Sequence, residues 1–390
     1  MIKKYSSPSF YEFFAGGGMA RAGFGAEWTC LFANDFDPKK SRSYEKNWGT
    51  GRLKTADVNT LVPGDIPGCA DLAWASFPCQ DLSLAGVGAG LKGARSGAFW
   101  PFWNLMRGLR AEGRAPSIVA LENVCGALTS HDGQDFAAIA TAFQHAGYRF
   151  GAMVIDAALF LPHSRPRLFM IGVKANAIVP PVLFDAAPSL PWHSAVLRTA
   201  FDKLPPHAQA NWIWWRLPLP PFNTARFADM IEDAPSDVAW HSQEETARLL
   251  NMMSDIHRAK LEWVKRNKRR TVATIYKRTR HDADGNKVQR AEIRFDDIAG
   301  CLRTPAGGSS RQLIMVINGN SIRSRLISGR ETARLMGLPD DYILPDKYNE
   351  TYHLTGDGVV VPVVRHIAEH LFEPLLAANW RENLDLRKAA

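Results

Sequence analysis

The chain has 390 residues, 46% of them hydrophobic and 22% charged, with a formal net charge of +8. This composition reads as an ordinary soluble globular protein and allows two domains with a sizeable core. No apolar run is long enough to cross a bilayer, and the first 16 residues lack the apolar stretch of a signal peptide, so the expected location is the cytoplasm, away from any membrane.

Residues 9–14 (SFYEFF) read as a strand that ends in a glycine-rich turn, with a helix following from Met19. A second strand is expected at 29–33, then a helix at 38–48 with proline in its first turn. Residues 71–76 and 117–121 are short buried-strand candidates, 134–146 has helical spacing, and 148–155 with 168–173 read as a strand pair. Strands alternating with helices predict an α/β fold: a doubly wound, mostly parallel sheet with its ligand at the carboxyl ends of the strands.

After Lys174 the texture changes. Residues 176–222 are dense in proline and tryptophan, which helices and parallel strands tolerate poorly. Residues 258–311 hold 15 Lys and Arg against 6 Asp and Glu, with a hairpin turn expected at Asp284-Gly285. Such a run is either a solvated face or a surface that neutralises phosphates. Two helical stretches, 329–337 and 360–377, close the chain. The expected organisation is a ligand-binding domain at 1–175, an inserted smaller irregular domain at 176–312, and a return to the first domain at 313–390. The six tryptophans from Trp192 to Trp263 are expected to form the core of the insert.

The five cysteines, Cys30, Cys69, Cys79, Cys125 and Cys301, are odd in number and contain no C-x-x-C pair. That argues against a disulfide framework and against a metal site. The turn FAGGG at 14–18 lets backbone amides approach a ligand. Asp35 lies about 20 residues on, a distance that suits ribose hydroxyls, and Phe36 beside it suits adenine stacking. Asp57-Val58 follows the third candidate strand. With no Walker-type residues, the set fits an adenosine ligand without a pyrophosphate.

Cys79 sits in SFPCQDLS, a polar turn at a strand end. A lone cysteine is usually a packing residue. The polar turn and the glycine-rich stretch 84–97 after it fit a nucleophile followed by a mobile loop instead. Glu122 ends the next strand, either as a surface charge or as an acid facing the substrate. Arg165 and Arg167 enter a strand two residues apart, so alternation predicts a shared face. Two cations there would lower a thiol pKa or orient a polar base.

With the glycine turn, Asp35, Asp57, Pro78-Cys79-Gln80, Glu122-Asn123-Val124 and the Arg165/Arg167 strand in this order, the chain resembles the cytosine-5 DNA methyltransferase family. Residues 325–342 and 356–364 resemble its ninth and tenth motifs, so the likeness covers the chain outside roughly 176–300. The resemblance implies a Rossmann-like methyltransferase domain with an inserted target recognition domain, and S-adenosylmethionine as cofactor with no metal. It implies Cys79 as nucleophile, Glu122 as partner of ring nitrogen 3, Arg165 at the target base and Arg167 in support. Phe14, Ala15, Gly16, Gly18, Asp35, Phe36, Asp57, Val58, Pro78, Asp357 and Gly358 would line the cofactor pocket. Gln80, Ser83 and Arg95 would approach double-stranded DNA from the loop, and Lys277, Arg278, Arg280, Arg303 and Arg311 from the recognition domain. A monomer is expected, with a cognate restriction enzyme as a possible companion.

The chain departs from the family pattern in four places. Met19 replaces the last glycine of the first motif, and His163 stands for the usual glutamine. LISGRE replaces L-T-P-R-E, and Asp357-Gly358 replaces a polar pair. An RNA cytosine-5 methyltransferase and a non-catalytic DNA-binding regulator are the rival readings. The large basic insert weighs against the first, and the intact motifs weigh against the second.

Overall fold

The strand Ser9–Phe13 (β1) forms because both of its faces can be buried. Tyr11 and Phe13 join one apolar cluster, while Phe10 meets the rings of Phe24 and Trp28 on the other side. The computed structural model describes residues 7–77, 98–267, 269–281, 284–304 and 311–389. The next strands are β2 (Thr29–Asp35), β3 (Leu53–Thr55), β4 (Leu72–Ala75), β5 (Ile118–Val124), β6 (Tyr148–Asp156) and β7 (Pro166–Lys174). They make one sheet in the order β3-β2-β1-β4-β5-β7-β6. The first five are parallel, and β7 runs antiparallel to both β5 and β6. This is the expected doubly wound α/β sheet, closed by an antiparallel pair. The helix Pro38–Trp48 starts where Asp37 accepts from the Lys39 amide at 2.8 Å and proline fills the first turn.

The chain divides into two compact units: Met1–Asp156, Pro166–Pro221 and Val359–Ala390, and Ala157–Arg165 with Phe222–Gly358. The switches fall near 221 and 358, where the sequence suggested 176 and 313. The proline-rich segment stays with the first unit because it extends that unit's sheet edge. Ile213 N donates to Phe150 O at 2.7 Å, Trp215 Nε1 donates to Ile171 O at 3.1 Å, and the indoles of Trp192 and Trp215 are buried. A short pairing of β8 (Phe184–Asp185) with β9 (Trp214–Trp215) is its only ladder among the described residues.

The second unit is more regular than its composition suggests. Strands β10 (Thr271–His281), β11 (Lys287–Arg294), β12 (Leu313–Asn318) and β13 (Ser321–Leu326) form an antiparallel sheet in the order β11-β10-β12-β13. Helices Gln243–Asn251 and Asp255–Arg266 cover one face of it through Leu249, Leu261 and Val264. The β10–β11 turn contains Gly285 at φ 81°, as the Asp-Gly pair required. The tryptophans do not form this unit's core. Trp192, Trp212, Trp214 and Trp215 belong to the first unit, Trp240 lies 3.6 Å beneath the Arg323 guanidinium, and Trp263 is 65% exposed. Short aliphatic side chains fill the sheet core instead.

Among the described residues, Glu12 is the most deeply buried carboxylate of the first sheet. Glu12 on β1 accepts from the Arg21 amide at 3.3 Å, and its Oε2 has no partner among the described residues. Burial pushes its pKa up to about 8, against the pull of the Arg21 amide and charge. The folded state therefore keeps a proton that the unfolded chain releases. The contribution of Glu12 to stability is therefore fully present below the ordinary carboxylate range and is lost as pH rises toward 8. Glu12→Gln removes this dependence. Thermal melts from pH 5 to 9 should show the variant gaining on the parent with rising pH and levelling off above about 8.

Candidate active site

Strands β2, β1, β4 and β5 are parallel neighbours, so their carboxyl ends share one edge of the sheet. The turn after β1 is held from two sides. Gly16 N donates to Asp35 Oδ2 at 2.8 Å, while Trp48 Nε1 donates to Gly17 O at 3.0 Å. At Gly18 φ is 78° and a Cβ would lie 2.3 Å from Trp48 Nε1, so only glycine fits against the indole. A Cβ at Gly16 would meet nothing within 4 Å, so this side of the turn opens to space. Arg21 stands 4.9 Å over the Trp48 ring and donates to Tyr44 OH at 2.9 Å, which fixes the platform under the turn.

Asp35 is 5% exposed, and burial raises its pKa against the opposing Lys40 charge and the amides of Asp37 and Gly16. Its neighbour Phe36 is 64% exposed, an aromatic ring presented at the strand end. Asp57 turns the chain after β3 by accepting from the Asn59 amide at 2.9 Å, and Val58 is buried. A cavity of about 250 Å³ opens beside Val58, Leu61, Pro101 and Leu105. Phe14, Ala15, Gly16, Gly18, Asp35, Phe36, Asp57 and Val58 all lie in the first unit.

Asn123 at the end of β5 donates through Nδ2 to Phe77 O at 3.4 Å, and its Oδ1 accepts from the Val124 amide at 2.8 Å. It thereby ties β5 to the residue two before Cys79 in the chain. Pro78, Cys79, Gln80, Ser83 and Arg95 lie outside the described residues. Glu122 is 6% exposed, with its Oε1 3.3 Å from Arg167 Nε. Arg167 reaches it because the antiparallel register sets Arg167 opposite Val124. Burial pushes the Cys125 thiol up although Arg167 opposes it, and burial takes Cys30 to about 11. Neither is an activated thiolate.

The two arginines expected on one face take different partners, because β7 begins at Pro166 and the alternation does not extend to Arg165. Arg165 is 2% exposed. Its Nη1 donates to Leu302 O at 3.0 Å and its Nη2 to Gly356 O and Gly358 O, both at 2.8 Å. His163 is buried next to it, with Nδ1 2.9 Å from Leu335 O and Nε2 accepting from the Leu302 amide at 3.4 Å. Both ring nitrogens of His163 thus meet backbone groups. Asp357 accepts from Thr304 Oγ1, and both Asp357 and Gly358 belong to the second unit. In the ninth-motif segment, Ser328 caps the helix Gly329–Leu335, and Arg325 pairs with Glu331 with both side chains fully buried.

Lys277, Arg278, Arg280 and Arg303 are exposed in the second unit. Arg311 instead reaches Asn349 Oδ1 at 2.5 Å and lies over the Tyr348 ring. Residues 305–310, the middle of the expected contact loop, lie outside the described residues. Among the described residues no group of three or more His, Cys, Asp or Glu could hold a metal, and no helix is long and apolar enough to cross a membrane. Sequence reasoning missed Trp48, Asn123 and Glu12. Asn123 was visible within the Glu-Asn-Val run, but nothing in spacing announces an indole that braces a turn 31 residues away.

Comparisons with known proteins find matches over nearly the whole chain. The family described as C-5 cytosine-specific DNA methylase matches residues 9–373. The type II methyltransferase M.HaeII of Haemophilus aegyptius is 26% identical over 385 residues, 97% of this chain and 96% of that protein. M.NgoBI of Neisseria gonorrhoeae is 26% identical over 368 residues, 93% of each. Among solved structures, the Entamoeba histolytica methyltransferase EhMeth aligns with a TM-score of 0.62 at 13% identity, over 95% of this chain and 99% of that one. S. pombe Dnmt2 methyltransferase aligns with a TM-score of 0.58 at 16% identity, over 94% and 99%. These two likenesses concern the fold.

Arg165→Met should leave the carbonyls of Leu302, Gly356 and Gly358 without their donor in a buried setting. The expected loss of stability is about 3 kcal/mol or more, read from the urea midpoint. A loss under about 0.5 kcal/mol would show that those carbonyls find other partners.

Proposed function

Because the chain belongs to the C-5 cytosine-specific DNA methylase family, we propose that it moves the methyl group of S-adenosylmethionine to carbon 5 of a cytosine flipped out of a specific duplex DNA sequence. S-adenosylhomocysteine is the other product, and Cys79 is the nucleophile. The observation that carries this reading is the shared strand edge, with a glycine turn locked to Asp35 at one position and the Glu122–Arg167 pair two strands away.

The residues present fit the cofactor. The open side of Gly16 admits a ligand against the backbone, and the oxygens of Asp35 keep lone pairs for ribose hydroxyls beyond the amides they accept. The exposed ring of Phe36 offers a face to adenine, with Asp57 and Val58 completing the set. The cofactor, when bound, supplies an electrophilic methyl group on a sulfonium.

Carbon 5 of cytosine is too weak a nucleophile to take that methyl unaided. Addition of the Cys79 thiolate to carbon 6 forms a carbon–sulfur bond and moves the ring electrons onto carbon 5. Glu122, as the carboxylic acid, donates a hydrogen bond to ring nitrogen 3 as charge builds there, and Arg167 holds the carboxyl group in place. After the transfer a base removes the carbon-5 proton, the electron pair reforms the ring double bond, and the thiolate leaves. Flipping costs a few kcal/mol of stacking and pairing, which contacts to DNA must offset. Gln80, Ser83 and Arg95 would make such contacts near the base, and Lys277, Arg278, Arg280, Arg303 and Arg311 along the duplex. Arg165 would act at the target base, and within its own unit it donates to the carbonyls of Leu302, Gly356 and Gly358. The type II names of the relatives suggest a restriction enzyme that reads the same site. The enzyme would act as a monomer in the cytoplasm.

Incubation with S-adenosylmethionine and mixed-sequence duplex DNA, followed by nucleoside mass spectrometry, should yield 5-methyldeoxycytidine, and Cys79→Ala should yield none. Methylation of transfer RNA alone would point to the RNA enzyme, and duplex binding without either product to a silent regulator. Asp35→Ala should weaken cofactor binding about tenfold or more by calorimetry, equivalent to about 1.4 kcal/mol. An unchanged affinity would remove Asp35 from the pocket.

A further inference from the structure

The second unit carries a feature that family membership does not specify. Strand β12 pairs with β10 only along Thr271–Ile275, whereas β11 pairs with it from Thr274 to His281. Beyond Ile275 the sheet is therefore a two-stranded ribbon, residues 276–281 against 287–292, about 20 Å long at roughly 3.3 Å per residue. It carries five cations, Lys277, Arg278, Arg280, Lys287 and Arg290, against one carboxylate, Glu292.

The register sorts these charges by face. One face pairs Tyr276 with Glu292, Arg278 with Arg290, and Arg280 with Val288. The other pairs Lys277 with Ala291, Thr279 with Gln289, and His281 with Lys287. On the first face two guanidinium groups stand directly opposite each other, an arrangement that destabilises an isolated ribbon. Glu292 offsets part of this. Its Oε1 accepts from Arg280 Nε at 2.7 Å and its Oε2 lies 3.3 Å from Arg278 Nε, while Arg278 also stands 5.6 Å over the Tyr276 ring. These contacts hold both arginine forks in defined directions while leaving the side chains about half exposed.

We infer that this ribbon enters the major groove of duplex DNA, with Arg278 and Arg280 reading base edges and Lys277 and Lys287 contacting the flanking phosphates. The inference rests on the DNA reading given above. The major groove of B-form DNA, about 12 Å wide, admits a two-stranded ribbon, whereas that of A-form RNA is too deep and narrow for side chains to read. Arginine forks suit the paired acceptors of guanine, and lysine suits phosphate as a point charge. The crowded cations provide the charge complementarity, and Glu292 supplies the rigidity that base reading needs.

The test uses the full chain with S-adenosylhomocysteine, titrated with random-sequence duplexes across a salt series. In parallel, methylated sites in a random duplex library are mapped by bisulfite sequencing. The double variant Lys277→Ala/Lys287→Ala should bind every duplex more weakly, with the slope of log affinity on log salt reduced by about 2. Arg278→Lys and Arg280→Lys keep the charge, so the slope should hold while the methylated motif relaxes about tenfold or more at one base pair each. All variants should melt with the parent, since the altered side chains are exposed. Wild-type affinity, slope and motif in all three would overturn the ribbon assignment, as would equal affinity for A-form RNA duplexes. A parent that neither binds nor methylates duplex DNA would instead overturn the reading on which the inference rests.

Discussion

The candidate site depends on one constraint, the parallel order of β2, β1, β4 and β5. Parallel neighbours deliver their carboxyl ends to the same edge, and the order reverses between β1 and β4, which opens a crevice there. The Asp35–Gly16 hydrogen bond fixes the glycine turn to β2, and the Asn123–Phe77 hydrogen bond fixes the end of β5 to the chain leaving β4. The two bonds span 19 and 46 residues of chain. The sheet thus supplies geometry that no single motif contains.

Antiparallel β7 adds what the parallel strands cannot. Its first residues run back along β5, so Arg167 arrives beside Glu122 from the opposite direction. Two residues earlier, Arg165 is committed to the carbonyls of Leu302, Gly356 and Gly358. A motif that reads as a pair of equivalent cations serves one charge pair and one backbone staple. The same economy appears at LISGRE, where Ser328 starts a helix and Glu331 satisfies a buried Arg325.

Much of the first unit was legible in the sequence, because aromatic and aliphatic runs bounded by glycine and proline mark strands whatever their partners. The glycine turn and the strands that carry Asp35, Glu122 and Arg167 were placed for that reason. Three things were not legible. Proline and tryptophan density marked 176–222 as irregular but not as the edge cover of the first sheet, since Trp215 Nε1→Ile171 O is a tertiary bond. The strands 313–326 were hidden by short alternating runs that resemble a loop until β10 pairs with them. The separate fates of Arg165 and Arg167 followed from where β7 begins, a boundary that periodicity does not place to the residue.

Under the proposed function, methyl transfer proceeds through a covalent bond from Cys79 to cytosine. A duplex in which 5-fluorodeoxycytidine replaces cytosine tests it directly, because fluorine on carbon 5 cannot leave as a proton does and the adduct should persist. Incubation with S-adenosylmethionine, digestion and peptide mass spectrometry should find a methylated fluorocytosine joined to the Cys79 peptide. Attachment at Cys125 or another cysteine, or no adduct from an enzyme that methylates ordinary DNA, would contradict it.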